Sequence, residues 1–136
     1  MPSSTTSSDP PRVLVVDDNE EMLSRAAAVL KPGCVVVGAV KDGPAALKAA
    51  RTLLPDVIVL DIGMAGMNGF EVATRLRDSG STAAVVFFTV HEDEEFIEAA
   101  RAAGGIGYVM KPRLAADLLR AVHEAKARRP FVSASR

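Results

Sequence analysis

Asp56-Val-Ile-Val-Leu-Asp61-Ile-Gly-Met-Ala-Gly-Met-Asn-Gly69 is the stretch on which the fold turns. Val57 to Leu60 form a short, continuous, mostly β-branched run, the pattern of a strand buried on both faces. The run stops at a carboxylate, Asp61, before a glycine-containing loop. Asn68 can then cap a helix, with Glu71 placed to reach back to it. Open α/β sheets place their chemistry at the carboxyl ends of parallel strands, which is where this arrangement puts Asp61.

The same unit repeats on either side. Val13–Val16 is a buried strand ending in Asp17-Asp18, and Cys34–Val40 is a second apolar run. Ala83–Val90 carries Thr89 near its end, and Ile106–Met110 runs into Lys111-Pro112. Helical spacing of apolar residues falls between them: Leu23, Ala26 and Leu30; Ala46, Leu47, Ala50, Leu53 and Leu54; Phe70, Ala73 and Leu76; Phe96, Ile97 and Ala100; Leu118, Ala121 and Val122. The fourth helix is expected to open near Glu92, on a run of acids that suits the positive end of its dipole. Five strands alternating with five helices predict a flavodoxin-like, doubly wound α/β fold with a parallel five-stranded sheet in the order 2-1-3-4-5. Residues 1–11 are expected as a disordered tail, 12–128 as one domain, and 129–136 as a C-terminal tail or the start of a linker.

Composition removes several classes of function. The 136 residues suit a single domain, and a net charge of −1 provides no global basic field for nucleic acid. One cysteine, Cys34, rules out an internal disulfide and a cysteine-based zinc site. Neither a charged-then-apolar leader nor a membrane-length apolar run occurs, so the expectation is a cytoplasmic protein with no membrane partner.

In this strand order, strands one and three are neighbours about 4.8 Å apart. Asp17, Asp18 and Asp61 then converge, and such a cluster repels itself unless a cation intervenes. Oxygen ligands with room for water suit Mg²⁺. The loop after strand one is acidic where a nucleotide site would be glycine-rich, which argues against flavin or nucleotide binding. Lys111 and Thr89 add a cation and a hydroxyl donor, so the set can receive an anion that arrives on Asp61. A phosphoryl group brings that charge and three acceptor oxygens, and Asp61 would be its nucleophile.

These residues resemble the receiver domain of bacterial two-component response regulators, and the Asp61-Ile-Gly-Met segment and the Phe131-Val132-Ser133 tail resemble receivers that precede a helix-turn-helix DNA-binding domain. The matching features are Val15-Val16-Asp17-Asp18-Asn19, Asp61 with Met64 and Asn68-Gly69 behind it, Thr89, and Gly107-Tyr108-Val109-Met110-Lys111-Pro112. The resemblance implies a phosphoacceptor that takes its phosphoryl group from a sensor histidine kinase, and a signalling role rather than turnover enzymology beyond self-catalysed phosphorylation and dephosphorylation. It implies Mg²⁺ held by Asp18, Asp61 and the Gly63 carbonyl, with Asp17 acting through water. It assigns Lys111 to the phosphoryl group, a cis bond to Lys111-Pro112, and a switch made of Thr89 and an inward-swinging Tyr108. The acidic start of helix four and the basic end of helix five (Arg120, Lys126, Arg128, Arg129) read as solvated faces. The alternative is a homodimer through the face of helix four, strand five and helix five, which this family commonly uses for output.

Three positions depart from the family pattern. Ala65 replaces a usual proline, which loosens the loop; Val90 is bulky next to Thr89; and His91 is expected at the mouth of the site. Ala65 and Val90 are the support for an alternative, a receiver-like interaction module that no longer takes phosphate. A phosphatase with an aspartyl intermediate is disfavoured, because Gly63 stands where its second acid belongs. Eight residues after the last helix cannot hold a DNA-binding domain, so no direct nucleic-acid binding is expected of these residues.

Overall fold

The computed structural model describes residues 9–133. Six parallel strands form one sheet in the order β2-β1-β3-β4-β5-β6: β1 Arg12–Val16, β2 Val35–Val40, β3 Val57–Asp61, β4 Ala84–Thr89, β5 Gly105–Met110 and β6 Phe131–Val132. The helices are α1 Glu20–Leu30, α2 Gly43–Leu53, α3 Gly69–Asp78, α4 Glu94–Ala102 and α5 Leu114–Lys126, with a 3-10 turn at Lys111–Arg113.

Side-chain alternation sorts the core into two layers. Leu14, Val16, Ile58, Leu60, Val85 and Phe87 face α2, α3 and α4. Val13, Val15, Val57, Val59, Val86 and Phe88 face α1 and α5. The continuous apolar runs follow from this, since every residue of β3 and β4 is buried by helices on one side or the other. Local chemistry sets the helix starts. Asn19 and Asp42 accept hydrogen bonds from Met22 N and Ala45 N, and Asn68 and Glu71 form the expected reciprocal capping box.

The expected five-stranded sheet is one strand short. Phe131–Val132 pairs with Gly107 and Tyr108 and places a sixth strand on the edge. Ser133 then closes the segment: its backbone N–H donates to the Tyr108 carbonyl at 2.9 Å, and its hydroxyl accepts from Met110 N at 3.2 Å. Two residues are too few to show a period in sequence, so the segment looks like a tail until its partners are known. The expected N-terminal tail lies outside the described residues as far as residue 8. Beyond that the chain is engaged: Pro11 is buried, and its carbonyl accepts from Val35 N at 2.8 Å.

Three smaller expectations are corrected. Leu54 is not inward. It caps α2 in the left-handed conformation, φ 49°, and is 72 % exposed. The fourth helix opens at Glu94, after Asp93, which makes no side-chain capping bond. Among the described residues no peptide bond is cis, so Lys111-Pro112 is trans, with the proline opening the 3-10 turn, where its missing N–H costs nothing.

Candidate functional site

β1 and β3 are hydrogen-bonded neighbours in register, Val16 beside Leu60, so the residues that follow them share one rim of the sheet. Asp17 is fully buried there, Asp61 is 5 % exposed, and Asp18 faces solvent. One oxygen from each of the three carboxylates lies within 4.8 Å of the others. None of these acids caps α1, because Asn19 does so. Asp17 Oδ1 accepts from Asn19 N at 2.8 Å, which fixes the carboxylate's orientation.

Lys111 enters from the end of β5. Its Nζ lies 2.9 Å from Asp17 Oδ2 and 3.4 Å from Asp61 Oδ1, with the ammonium 5.4 Å from the centre of the Phe88 ring. The contact with Asp17 Oδ2 is a charge contact rather than an aligned hydrogen bond. Among the described residues that buried oxygen has no hydrogen-bond donor. An orphaned carboxylate oxygen in a cluster of three acids is what a hard divalent cation satisfies, so the residues present fit Mg²⁺.

Burial pushes the Asp61 carboxyl above its usual range, and the Asp17 charge pushes the same way; Lys111 and the Gly63 N–H pull it down without cancelling them. For Lys111, burial lowers the ammonium pKa, but the close contacts with the Asp17 and Asp61 carboxylates outweigh it and hold it above its ordinary value. The site therefore keeps a full positive charge beside a carboxylate that resists ionisation. A divalent cation would relieve that resistance.

Gly63 is exposed, and its N–H donates to Asp61 Oδ1 at 3.2 Å. Thr89 is 2 % exposed, and its Oγ1 accepts from His91 N at 3.2 Å, which leaves the hydroxyl proton free to donate elsewhere. Tyr108 already lies inward at 2 % exposure, its hydroxyl donating to the His91 carbonyl at 2.9 Å. β6 covers β5, so Tyr108 is not on an edge strand. Burial, assisted by the Asp93 charge, raises its phenol to about 12, so it stays a donor at any ordinary pH. His91 is half-buried and stacked on Phe96 at 4.0 Å rather than free at the mouth. Val90 projects beside Thr89, 63 % exposed.

One positioning residue has a reason that sequence did not disclose. A Cβ on Gly69 would run into the Asp61 carbonyl oxygen and lie 2.8 Å from Ile62 Cα. Gly69 N also donates to the Ile62 carbonyl at 2.9 Å. The start of α3 is thus packed directly on the backbone that carries Asp61. Gly69→Ala is expected to destabilise the fold by about 3 kcal/mol, since backbone on both sides cannot yield. A shift in the urea midpoint at unchanged slope checks this.

Residues 13–123 match the pattern of the response regulator receiver domain family. Among curated proteins, the nitrate/nitrite response regulator protein NarL of Escherichia coli (strain K12) is 38% identical over 98 residues, 72% of this chain and 45% of that protein. The chain thus spans under half the length of that relative. Among solved structures, the signal receiver domain of NarL from Mycobacterium tuberculosis superposes with a TM-score of 0.85 at 29% identity, covering 89% of this chain and 99% of the other. The response regulator domain of Thermotoga maritima CheB gives 0.79 at 31% identity, covering 88% and 98%.

Proposed function

Because the chain belongs to the response regulator receiver domain family of two-component signalling, we propose that Asp61 is its phosphoacceptor and that Asp17, Asp18, Lys111 and Thr89 serve the transfer. The convergence of three carboxylates and one lysine at a single strand rim supports this reading best. The donor is the phosphohistidine of a sensor histidine kinase, the partner class of receiver domains. An Asp61 oxygen attacks phosphorus, the phosphorus–nitrogen bond breaks, and its electron pair leaves with the imidazole. The product is an aspartyl phosphate.

Asp18 and Asp61, with the Gly63 carbonyl and Asp17, would hold Mg²⁺. When bound there, it neutralises the acids and the phosphoryl oxygens. Lys111 exchanges its contact with Asp61 for one with the phosphoryl group, through the same short reach it already has. Thr89 donates its free hydroxyl proton to a phosphoryl oxygen. Thr89 and Tyr108 both hold the backbone of His91, one at its N–H and the other at its carbonyl, so any movement of Thr89 reaches Tyr108 through that residue. The chain's own chemistry is confined to gaining and losing this phosphoryl group.

A cytoplasmic location suits such a partner, and no described helix is long and apolar enough to cross a membrane. A homodimer across α4, β5 and α5 would have to include β6, which lies on that edge of the sheet. The deciding experiment is incubation with a small phosphodonor and Mg²⁺, followed by intact mass. One phosphoryl adduct, absent when a chelator is added, is the expected result; no adduct under donor excess favours the interaction module instead. Magnesium should also stabilise the fold by about 2.7 kcal/mol at roughly a hundred times its dissociation constant. Asp18→Asn should remove most of that gain, as read from melting temperature against magnesium concentration.

A further inference from the structure

We propose that the end of the sheet opposite Asp61 holds a second site, one that takes a small amphiphilic monocarboxylate of the medium-chain fatty acid kind. A cavity of about 570 Å³ opens there, at the amino ends of β3 and β4, bounded by the carboxyl ends of α2, α3 and α5. This is within the size range of small-molecule sites, roughly 300–1,000 Å³. Its wall is divided by chemistry. Leu54, Pro55 and Leu76 form an apolar side, and Arg51, Lys126 and Arg128 bring three cations to the same space, against one acid, Asp56.

Arg51 and Lys126 lie in the last turns of α2 and α5, where they complement the helix dipoles, yet among the described residues no carboxylate comes within hydrogen-bond distance of any of the three cations. Arg51 makes no ion pair or side-chain hydrogen bond among the described residues, and Lys126, which donates to the Asp9 carbonyl at 3.0 Å, reaches Asp56 only at 3.8 Å. Asp56 itself accepts from Arg12 N at 2.9 Å, so its charge is partly engaged elsewhere. Arg128 is held in place by donating to the Thr82 carbonyl at 2.6 Å.

Backbone conformation marks the same cavity. Among the described residues two non-glycines have positive φ, Leu54 at 49° and Arg128 at 63°, and both line it. Leucine in the left-handed region is strained, and here it also leaves 72 % of its surface in water. The Leu54 backbone serves the fold, its N–H donating to the Ala50 carbonyl at 3.2 Å to cap α2 and its carbonyl accepting from Arg12 at 2.7 Å, but its exposed side chain does not. An alkyl chain against Leu54, with its carboxylate toward Arg51, Lys126 and Arg128, covers that side chain and meets the cations.

The test is NMR titration of the full chain with octanoate, alongside octanol, which lacks the charge, and acetate, which lacks the tail. Octanoate is expected to give saturable shifts of the Leu54, Ser81 and Arg128 amides, with the two controls at least about tenfold weaker. Arg51→Gln, whose side chain makes no described hydrogen bond or ion pair to lose, should weaken octanoate about fivefold. Leu54→Gly should weaken it by a similar factor, about fivefold, while holding or raising the unfolding temperature, because glycine is at ease at this φ. That combination separates loss of a ligand contact from loss of the fold. Equal response to octanol, unchanged affinity in Leu54→Gly, or no saturable shift in the wild type up to the solubility limit overturns the proposal.

Discussion

The Asp61→Asn protein is expected to take up no phosphoryl group from a small phosphodonor and Mg²⁺, and yet to be more stable than the wild type when metal is absent. The first outcome follows from removing the attacking oxygen's charge, and intact mass reads it as complete loss of the adduct. The second follows from the environment of the carboxylate. Burial and the Asp17 charge raise the Asp61 pKa, so the fold favours its protonated form and is penalised when it ionises. Such a group lends its stability below the ordinary carboxylate pKa and loses it as pH rises through the folded value. At neutral pH the neutral amide should gain on the order of 1 kcal/mol, and the gap should close on acidification. Millimolar Mg²⁺ should reverse the order, since the wild type keeps the full ligand set. Urea unfolding at two pH values, with and without metal, checks all three parts.

Lys111→Met carries the largest expected loss of stability. It keeps an unbranched stem near the Phe88 ring but removes the cation 2.9 Å from Asp17 and 3.4 Å from Asp61. Two buried carboxylates are then left facing each other, and breaking a buried ion pair in this way costs about 3–5 kcal/mol. The pH dependence has a definite sign. In the wild type the Lys111 pKa is held above its ordinary value by Asp17 and Asp61, so its contribution is constant through neutrality and fades only in strong alkali. In the variant, Asp61 is the group that can relieve the repulsion by taking up a proton. The deficit should therefore be largest at neutral pH and shrink as pH falls, and Mg²⁺ should restore part of it. Phosphoryl transfer should slow by about a hundredfold even at saturating Mg²⁺, the usual effect of removing one fixed stabilising group from a transition state. A variant as stable as the wild type at pH 7 would mean that Lys111 does not hold the two acids together.

The core of the fold was legible because Val13–Val16, Val57–Leu60 and Ala84–Phe88 are apolar at consecutive positions, which only strands covered on both faces tolerate. The site was legible for a related reason. A carboxylate, a threonine or a lysine that closes such a run must sit at the rim, where chain direction puts every carboxyl end together. The capping box of α3 was legible too, since Asn68 and Glu71 find their partners within three residues.

Other features were not. Phe131–Val132 becomes a strand only because β5 offers an unpaired edge and Ser133 closes on Tyr108 and Met110. Leu54 fits the helical stripe by spacing but turns outward, because the chain leaves α2 through a left-handed residue. Nor was the partner of the inward tyrosine, since the Tyr108 hydroxyl bonds to the carbonyl of His91, 17 residues away.

By itself the sequence determined which segments pair, which faces are covered and which side chains stand at the rim, because periodicity and capping act between residues close in the chain. Tertiary structure alone decided that Lys111 reaches both Asp17 and Asp61, that Gly69 lies against the Asp61 backbone, and that three cations and a strained leucine share one cavity. These are contacts between groups distant along the chain. Their lengths depend on strand register and helix placement to within an ångström, and charge and contact energies change steeply over that distance.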